Sequence, residues 1–209
     1  MVITLGNIKG GVGKSTLACN LAVEAASRGH KTLLIDADTL ASSMAFRELR
    51  KQDNIAVVAI TTATLHKDLE DFKKTFDIIF IDAGGRNNTV FRSAILACDD
   101  LIIPTLPSQY DVFALLDTIT LLEDARIYKK IPATIVLNQM LYANIGKETM
   151  EAMEDIIKKH DVGLAKTLIY ARVAFKNSIG RGVGVKELDP HSKAAAEIAT
   201  LFNELVRLS

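Results

Sequence analysis

The stretch Gly6-Asn-Ile-Lys-Gly-Gly-Val-Gly-Lys-Ser-Thr16 lies between a short apolar run, Val2–Leu5, and an amphipathic segment, Ser15–Arg28. A strand, a glycine loop ending in Gly-Lys-Ser and a helix are together the context in which a phosphate-binding loop is credible. Glycines let backbone N–H groups surround phosphate oxygens, and the following helix directs its positive end at them. The stretch therefore predicts a phosphate site at the head of an α/β fold.

The loop residues have distinct expected roles. Lys14 is expected to reach the β- and γ-phosphates of a nucleotide, and the hydroxyl of Ser15 is expected to bind Mg²⁺. Two positions are unusual: Ile8 stands where the strict pattern has its first glycine, and Lys9 adds a lysine that phosphate binding alone does not need. The backbone expected to surround the phosphates is that of Gly10, Gly11, Val12 and Gly13.

The rest of the chain alternates short apolar runs with helix-length amphipathic segments. This alternation predicts a doubly wound α/β fold, with helices on both faces of a mostly parallel sheet. The predicted strands are Val2–Leu5, Thr32–Ile35, Ile55–Ile60, Ile78–Ile81, Leu101–Pro104, Ala133–Leu137 and Leu164–Ile169. The predicted helices are Ser15–Arg28, Ala41–Lys51, Leu65–Lys74, Asn88–Ala97, Val112–Tyr128, Lys147–His160 and Ser192–Leu208. Because the sequence has no internal repeat or Pro/Ser-rich linker, residues 1–209 are expected to form a single domain.

Carboxylates follow two of the predicted strands. Asp36 and Asp38 come directly after Thr32–Ile35, and Asp82 follows Ile78–Ile81 and precedes two glycines. The carboxyl ends of parallel strands form the crevice in which such sheets bind ligands. Since Mg²⁺ prefers oxygen ligands, carboxylates beside a phosphate loop indicate a site for Mg²⁺ and a nucleotide.

The motifs KGGVGKST, DAD and IIFIDAGG, in this order and spacing, resemble those of the deviant Walker A ATPases of the ParA/MinD group. The resemblance extends over nearly the whole chain and is closest to short ParA-type partition ATPases that lack an N-terminal DNA-binding domain. It implies slow, Mg²⁺-dependent hydrolysis of ATP by a homodimer that sandwiches the nucleotides. It also implies binding to non-specific DNA of the nucleoid, plasmid partition or positioning of another cargo, and a ParB-like partner that stimulates hydrolysis.

The resemblance also assigns roles to residues around the nucleotide. Lys9 matches the lysine that crosses to the ATP phosphates of the partner subunit. Lys14, Ser15 and Thr16 match the contacts to phosphate and Mg²⁺ within one chain. Asn138, the last residue of TIVLN, resembles the asparagine that hydrogen-bonds adenine. The alternative interpretation of Asn138 is an ordinary polar cap at a strand end.

The same resemblance divides the three carboxylates by role. Asp38 matches the residue that orients the attacking water, Asp36 supports the metal shell, and Asp82 matches the Walker B acid. One departure is that Thr39 and Leu40 replace the proline and glutamine that many relatives have after the second aspartate. The departure concerns the detail of this loop and leaves the assignment of Asp38 in place.

Positive charge is concentrated near the end of a chain in which 25 basic and 25 acidic residues cancel. Seven basic residues lie from Lys158 to Lys186, with Asp161 as the one acid among them. Such a patch binds nucleic-acid phosphates without reading sequence. A solvated charged face is the alternative. The residues expected to contact DNA are Arg172, Lys176 and Arg181.

Two other functions stay open. A MinD-like ATPase ends in a basic amphipathic helix that binds membranes. The terminal helix here carries acids on its polar face, so we expect it to pack on the core and we expect no membrane partner.

A metabolic ATP-dependent enzyme would need an acid–base group for its substrate, and the four histidines are scattered. The two cysteines form no CxxC pair, and neither a signal peptide nor a membrane-length apolar run is recognisable. We therefore expect a cytoplasmic, nucleoid-associated protein.

Overall fold

The fold is described by a computed structural model that covers residues 1–85, 89–141 and 146–206. Its strands are β1 (Val2–Leu5), β2 (Thr32–Ala37), β3 (Ile55–Ala59), β4 (Ile78–Ala83), β5 (Asp100–Thr105), β6 (Ala133–Leu137) and β7 (Gly163–Leu164). Its helices are α1 (Lys14–Ser27), α2 (Ser42–Leu49), α3 (Leu65–Thr75), α4 (Thr89–Ala97), α5 (Gln109–Arg126), α6 (Lys147–His160), α7 (Val173–Ile179), α8 (Val185–Leu188) and α9 (Lys193–Leu205).

The strands form one seven-stranded sheet in the order β3-β2-β4-β1-β5-β6-β7, and every neighbouring pair is parallel. The chain builds the sheet first to one side of β1 and then to the other, so the order reverses beside β1. Ligands of such sheets bind at the carboxyl ends of the strands near this reversal. The predicted doubly wound architecture is confirmed.

Apolar side chains are buried on both faces of the sheet. In β2, Leu33 and Ile35 belong to a core shared with α3, α4, α5 and α6, whereas Leu34 belongs to the opposite core with α1, α2, α7, α8 and α9. Successive side chains of a strand point to opposite faces. A strand covered on both faces is therefore apolar throughout, which explains the unbroken runs in the sequence.

The predicted strand Leu164–Ile169 is wrong for most of its length, because only Gly163–Leu164 pairs as a strand with β6. Beyond it, the N–H groups of Ala165 and Ile169 still donate to carbonyls of β6, at 2.8 and 3.1 Å. Between them, the carboxylate of Glu204 in α9 accepts the N–H groups of Lys166 and Thr167 at 2.6 and 3.0 Å. A regular ladder would need the second of these groups for β6. A side-chain acceptor from a distant helix has taken its place.

Other element boundaries also differ from the predictions. Helix α5 begins before the predicted Val112 because Ser108 caps it, with its hydroxyl oxygen accepting the N–H of Asp111. The glycine-rich basic segment at 171–187, for which no element was predicted, contains α7 and the first three residues of α8. The predicted start of α4 at Asn88 and the last residues of the terminal helix lie outside the described residues.

The terminal helix α9 packs on the core, as predicted. Its buried side chains include Ile198, Leu201 and Phe202. The Phe202 ring stacks on His30 with 6.4 Å between ring centroids, and the Arg28 guanidinium lies 4.4 Å from its centre. Across the described ranges, no helix combines the length and hydropathy that crossing a bilayer requires.

A buried ion pair connects α2 to α8. The Arg50 guanidinium, whose side chain is fully buried, donates to the two Glu187 carboxylate oxygens at 2.7 and 2.9 Å. Burial by itself raises the pKa of Glu187, but hydrogen bonds from Arg50 and from the Gly184 N–H outweigh it, and the net pKa is lowered. The pair therefore contributes to stability while Glu187 is ionised.

Glu187→Gln should lower the free energy of unfolding at pH 7 by about 3 kcal/mol, because it leaves a buried guanidinium without its counter-charge. A carboxyl whose pKa is lower in the folded than in the unfolded chain stabilises at neutral pH and ceases to do so as the pH falls through the folded-state pKa. In urea titrations, the difference from wild type should therefore shrink between pH 7 and pH 3. Glu70→Gln, in an exposed pair on α3, is the control and should change stability by less than about 0.5 kcal/mol. Equal stability of Glu187→Gln and wild type at pH 7 would contradict the assignment.

Candidate nucleotide-binding site

The glycine loop turns from β1 into α1 through two residues in the left-handed region, Gly11 with φ 78° and Gly13 with φ 90°. Such values favour glycine. Space is also restricted at Gly13, because a Cβ there would lie 2.3 Å from Nδ2 of Asn138. Two of the predicted loop glycines are thus required by conformation, and one of them by space as well.

Side-chain amides at the end of β6 hold the loop. Asn138 Nδ2 donates to the Val12 carbonyl at 2.7 Å, and Gln139 Nε2 donates to the Gly11 carbonyl at 2.9 Å. Gln139 itself has φ 54°, an uncommon value for a residue other than glycine. Asn138 thus shapes the loop, and its predicted contact with adenine stays a prediction. Sequence reasoning missed Gln139, because no periodicity marks a single amide after a strand.

A second set of contacts holds the start of the loop. The amide of Asn7 donates to the Pro104 carbonyl at 2.8 Å, and its oxygen accepts the Lys9 N–H at 2.9 Å. The Ile8 N–H donates to the Thr118 hydroxyl of α5 at 3.0 Å. Ile8, which stands where the strict pattern has its first glycine, thus has its N–H hydrogen-bonded to α5.

The carboxylates of Asp36 and Asp82 lie side by side, because the register of β2 and β4 pairs these two residues. Asp82 is fully buried, and its Oδ2 accepts the Ser43 hydroxyl at 2.7 Å. Its Oδ1 accepts no hydrogen bond from the part of the chain that the structure describes. Burial raises the pKa of Asp82 to about 7, against the lowering effect of the Ser43 and Ser15 hydroxyls.

The free oxygen of Asp82 fits a metal ion. Buried polar atoms in proteins are normally paired, and a carboxylate oxygen beside a phosphate loop is a ligand that suits Mg²⁺. The hydroxyl of Ser15 interacts with the same carboxylate. Ser15 and Asp82, both predicted as metal ligands, are therefore brought together.

Asp36 is engaged with the backbone. Its two oxygens accept the N–H groups of Asp38 and of Met44 in α2, at 3.1 and 2.9 Å. Burial raises its pKa. The contacts show Asp36 organising the turn into α2, where Ala41 has φ 54°; its role in the metal shell stays a prediction.

A cavity of about 580 Å³ opens over the loop. Lys14 lines it, and burial lowers the pKa of this lysine against the raising effect of the Asp82 and Asp38 charges. Its ammonium donates to the Lys9 carbonyl at 3.1 Å. Gly85 keeps the opposite side open, because a Cβ there would lie 3.0 Å from the Lys14 Nζ atom. The predicted site residues lining this cavity are Gly10, Gly11, Gly13, Lys14, Ser15, Thr16 and Asp38.

A second cavity, of about 510 Å³, adjoins the first and shares four lining residues with it, namely Gly13, Thr16, Gln139 and Ile179. Its outer wall is formed by the segment from 170 to 179, in which Tyr170 and Phe175 supply aromatic surface. Apolar and aromatic walls with a few polar groups are typical of small-molecule sites. A flat base attached to a phosphate chain in the first cavity fits this arrangement.

Two of the three residues predicted to contact DNA line this second cavity, namely Arg172 and Lys176. Arg172 is also paired with Glu197 of α9, with contacts of 2.8 Å from Nε and 2.5 Å from Nη2. Its charge is thereby compensated within the chain. Arg181, the third residue, is exposed. The three residues therefore lie in different environments, although the sequence analysis groups them in one basic patch.

Gly13→Ala should weaken nucleotide binding at least about 100-fold. The new Cβ must displace the Asn138 amide and so deform the loop. Gly29→Ala is a matched control: Gly29 has φ 88°, but nothing lies within 4 Å of a Cβ there. The control should lose only about 1 kcal/mol of stability from the strained backbone and should keep its affinity. Titration with a fluorescent ATP analogue and thermal unfolding separate the two effects. Equal losses of affinity in the two variants would show that backbone strain, not the Asn138 contact, decides the effect.

Comparisons with known proteins agree with this geometry. The model of the CobQ/CobB/MinD/ParA nucleotide binding domain matches residues 3–185. Maintenance of carboxysome distribution protein A of Halothiobacillus neapolitanus is 27% identical over 210 residues, which cover 98% of this chain and 95% of that protein. Sporulation initiation inhibitor protein Soj of Bacillus subtilis is 23% identical over 249 residues, with 98% and 97% covered. The septum site-determining protein MinD of Pyrococcus horikoshii OT3, solved with Mg-ADP, has a similar fold, with a TM-score of 0.81 at 20% identity over 99% of this chain and 96% of that one. The chain belongs to the CobQ/CobB/MinD/ParA nucleotide-binding domain family.

Proposed function

We propose that the chain is a ParA-type ATPase, which dimerises on ATP, binds DNA without sequence preference and positions a cargo. The observation that carries this proposal is the separation of the two loop lysines. Lys14 lines the cavity over the loop, whereas the Lys9 ammonium lies 2.5 Å from the Asp111 carboxylate at the start of α5. A loop lysine that does not line the phosphate cavity of its own chain fits a role at the phosphates of a second copy.

The chemistry of the site supports hydrolysis of a nucleoside triphosphate. Phosphoryl transfer depends on positioning and on stabilisation of charge more than on covalent chemistry. Mg²⁺, when bound at Ser15 and Asp82, would neutralise phosphate charge. Lys14 supplies positive charge within the chain, and Asp38, which lines the same cavity, holds the attacking water.

The proposed cargo is a plasmid, released when a ParB-like partner stimulates hydrolysis. A carboxysome is the alternative cargo, because one relative is named for maintaining carboxysome distribution. The proposed location is the nucleoid in the cytoplasm. DNA contact is assigned chiefly to Arg181 and secondarily to Lys176, since Arg172 is paired with Glu197.

Binding to random-sequence DNA tests the DNA-dependent part of this proposal. With ATP, binding should be at least about tenfold tighter than with ADP and should weaken steeply as salt rises, because phosphate contacts release counterions. Arg181→Glu should weaken it, while Lys73→Glu on α3 should not. Liposome binding alone would favour a MinD-like function instead. Binding to neither DNA nor liposomes would favour a metabolic enzyme.

Two substitutions test the dimeric ATPase itself. Lys9→Ala should prevent dimerisation on ATP. It should leave the nucleotide affinity of the monomer within about threefold of that of wild type, because Lys9 lies outside the cavity.

Asp38→Ala should bind ATP, hydrolyse it at least about 100-fold more slowly than wild type and accumulate as the dimer, because the water is no longer oriented. Sedimentation velocity and phosphate release measure these outcomes. ATP-dependent dimerisation of Lys9→Ala equal to that of wild type would refute the role of Lys9.

A further inference from the structure

The ion pair between Lys9 and Asp111 is an unequal one. The Asp111 side chain is only 4% exposed, whereas that of Lys9 is 34% exposed. Asp111 also accepts the hydroxyl of Ser108 through Oδ2, and its N–H donates to the Ser108 oxygen at 3.3 Å. The other oxygen, Oδ1, is the atom that the Lys9 ammonium contacts at 2.5 Å. The Lys9 ammonium is therefore the counter-charge of a nearly buried carboxylate.

The surface around this pair is open and aromatic. Tyr110 and Phe113, on either side of Asp111 in the first two turns of α5, are 83% and 60% exposed. Adjacent exposed aromatic side chains are typical of protein interfaces. This surface is continuous with the start of the glycine loop through the Lys9–Asp111 contact. It is where a second copy would lie if Lys9 reached into that copy.

We propose that Asp111 is a positioning residue that holds Lys9 within its own chain and thereby sets how readily ATP drives dimerisation. This inference rests on the proposed function, in which Lys9 acts on the second copy. When Lys9 leaves, the Asp111 carboxylate stays nearly buried without a counter-charge, which is unfavourable. Phosphate charge in the second copy must compensate for the lost pair. Because a symmetric dimer has two such pairs, the cost of releasing Lys9 contributes twice to the free energy of dimerisation.

Asp111→Asn tests the inference. Asparagine keeps an oxygen for the Ser108 hydroxyl but removes the charge that holds Lys9. Release of Lys9 should be eased about fivefold in each protomer, so the dimer dissociation constant with a slowly hydrolysed ATP analogue should fall about 25-fold. Asp117→Asn, an exposed carboxylate on the same helix, is the matched control and should leave the dissociation constant unchanged. Sedimentation velocity over a range of protein concentrations measures it.

Epistasis separates positioning from general stability. In the Lys9→Ala background, Asp111→Asn should bring no gain in dimerisation, because no lysine remains to be released. Thermal unfolding and ATP-analogue binding to the monomer show whether each variant folds. Asp111→Ala is the second variant should Asp111→Asn fold poorly, and it should also dimerise more tightly than wild type.

The outcomes are distinct. If wild type dimerises and Asp111→Asn dimerises no more tightly, the inference is overturned and the proposed function stands. A gain that persists without Lys9 would also overturn the inference. If wild type fails to dimerise but Asp111→Asn does so, the inference is supported. If both bind the ATP analogue and neither dimerises, the proposed function fails and the inference fails with it.

Discussion

The parallel register of β1, β2 and β4 determines where the chemistry of this protein lies. It pairs Asp36 with Asp82 and brings Leu5, the last residue before the glycine loop, beside Asp82. One sheet edge therefore receives the phosphate loop and both strand-end carboxylates. A shift of register by one residue would turn these carboxylates to the opposite faces of the sheet, away from the loop. The buried apolar faces that hold the register thus also hold the site.

The phosphate loop and the sheet could be predicted because their signals are local. Glycines, Lys14 and Ser15 occupy fixed positions in a short pattern, and unbroken apolar runs mark strands that helices cover on both faces. The resemblance of these motifs to a known family was then confirmed by the match over residues 3–185. Local chemistry was enough to identify the fold and its nucleotide-binding end.

The remaining features depend on contacts between distant parts of the chain. The run Leu164–Ile169 has a strand-like composition, but the carboxylate of Glu204 takes the N–H groups of Lys166 and Thr167, so the ladder with β6 is interrupted there. Gln139 and Thr118 support the loop through single hydrogen bonds, which leave no periodic trace in the sequence. Charge counting placed Arg172 with the DNA-binding residues, because the sequence does not show its pairing with Glu197.

The buried carboxylate of Asp82 divides its two oxygens between the fold and the ligand. Oδ2 accepts the Ser43 hydroxyl and so holds the first turn of α2, while Oδ1 accepts no hydrogen bond from the residues that the structure describes. A single aspartate side chain, by its length and charge, thereby serves both the contact with Ser43 and the proposed contact with the metal. Glutamate would move both oxygens, and asparagine would replace one oxygen by a donor. Position 82 therefore admits no other residue without loss on one of the two sides, and the helix that follows Asp38 is anchored on the same carboxylate whose other oxygen would hold the metal.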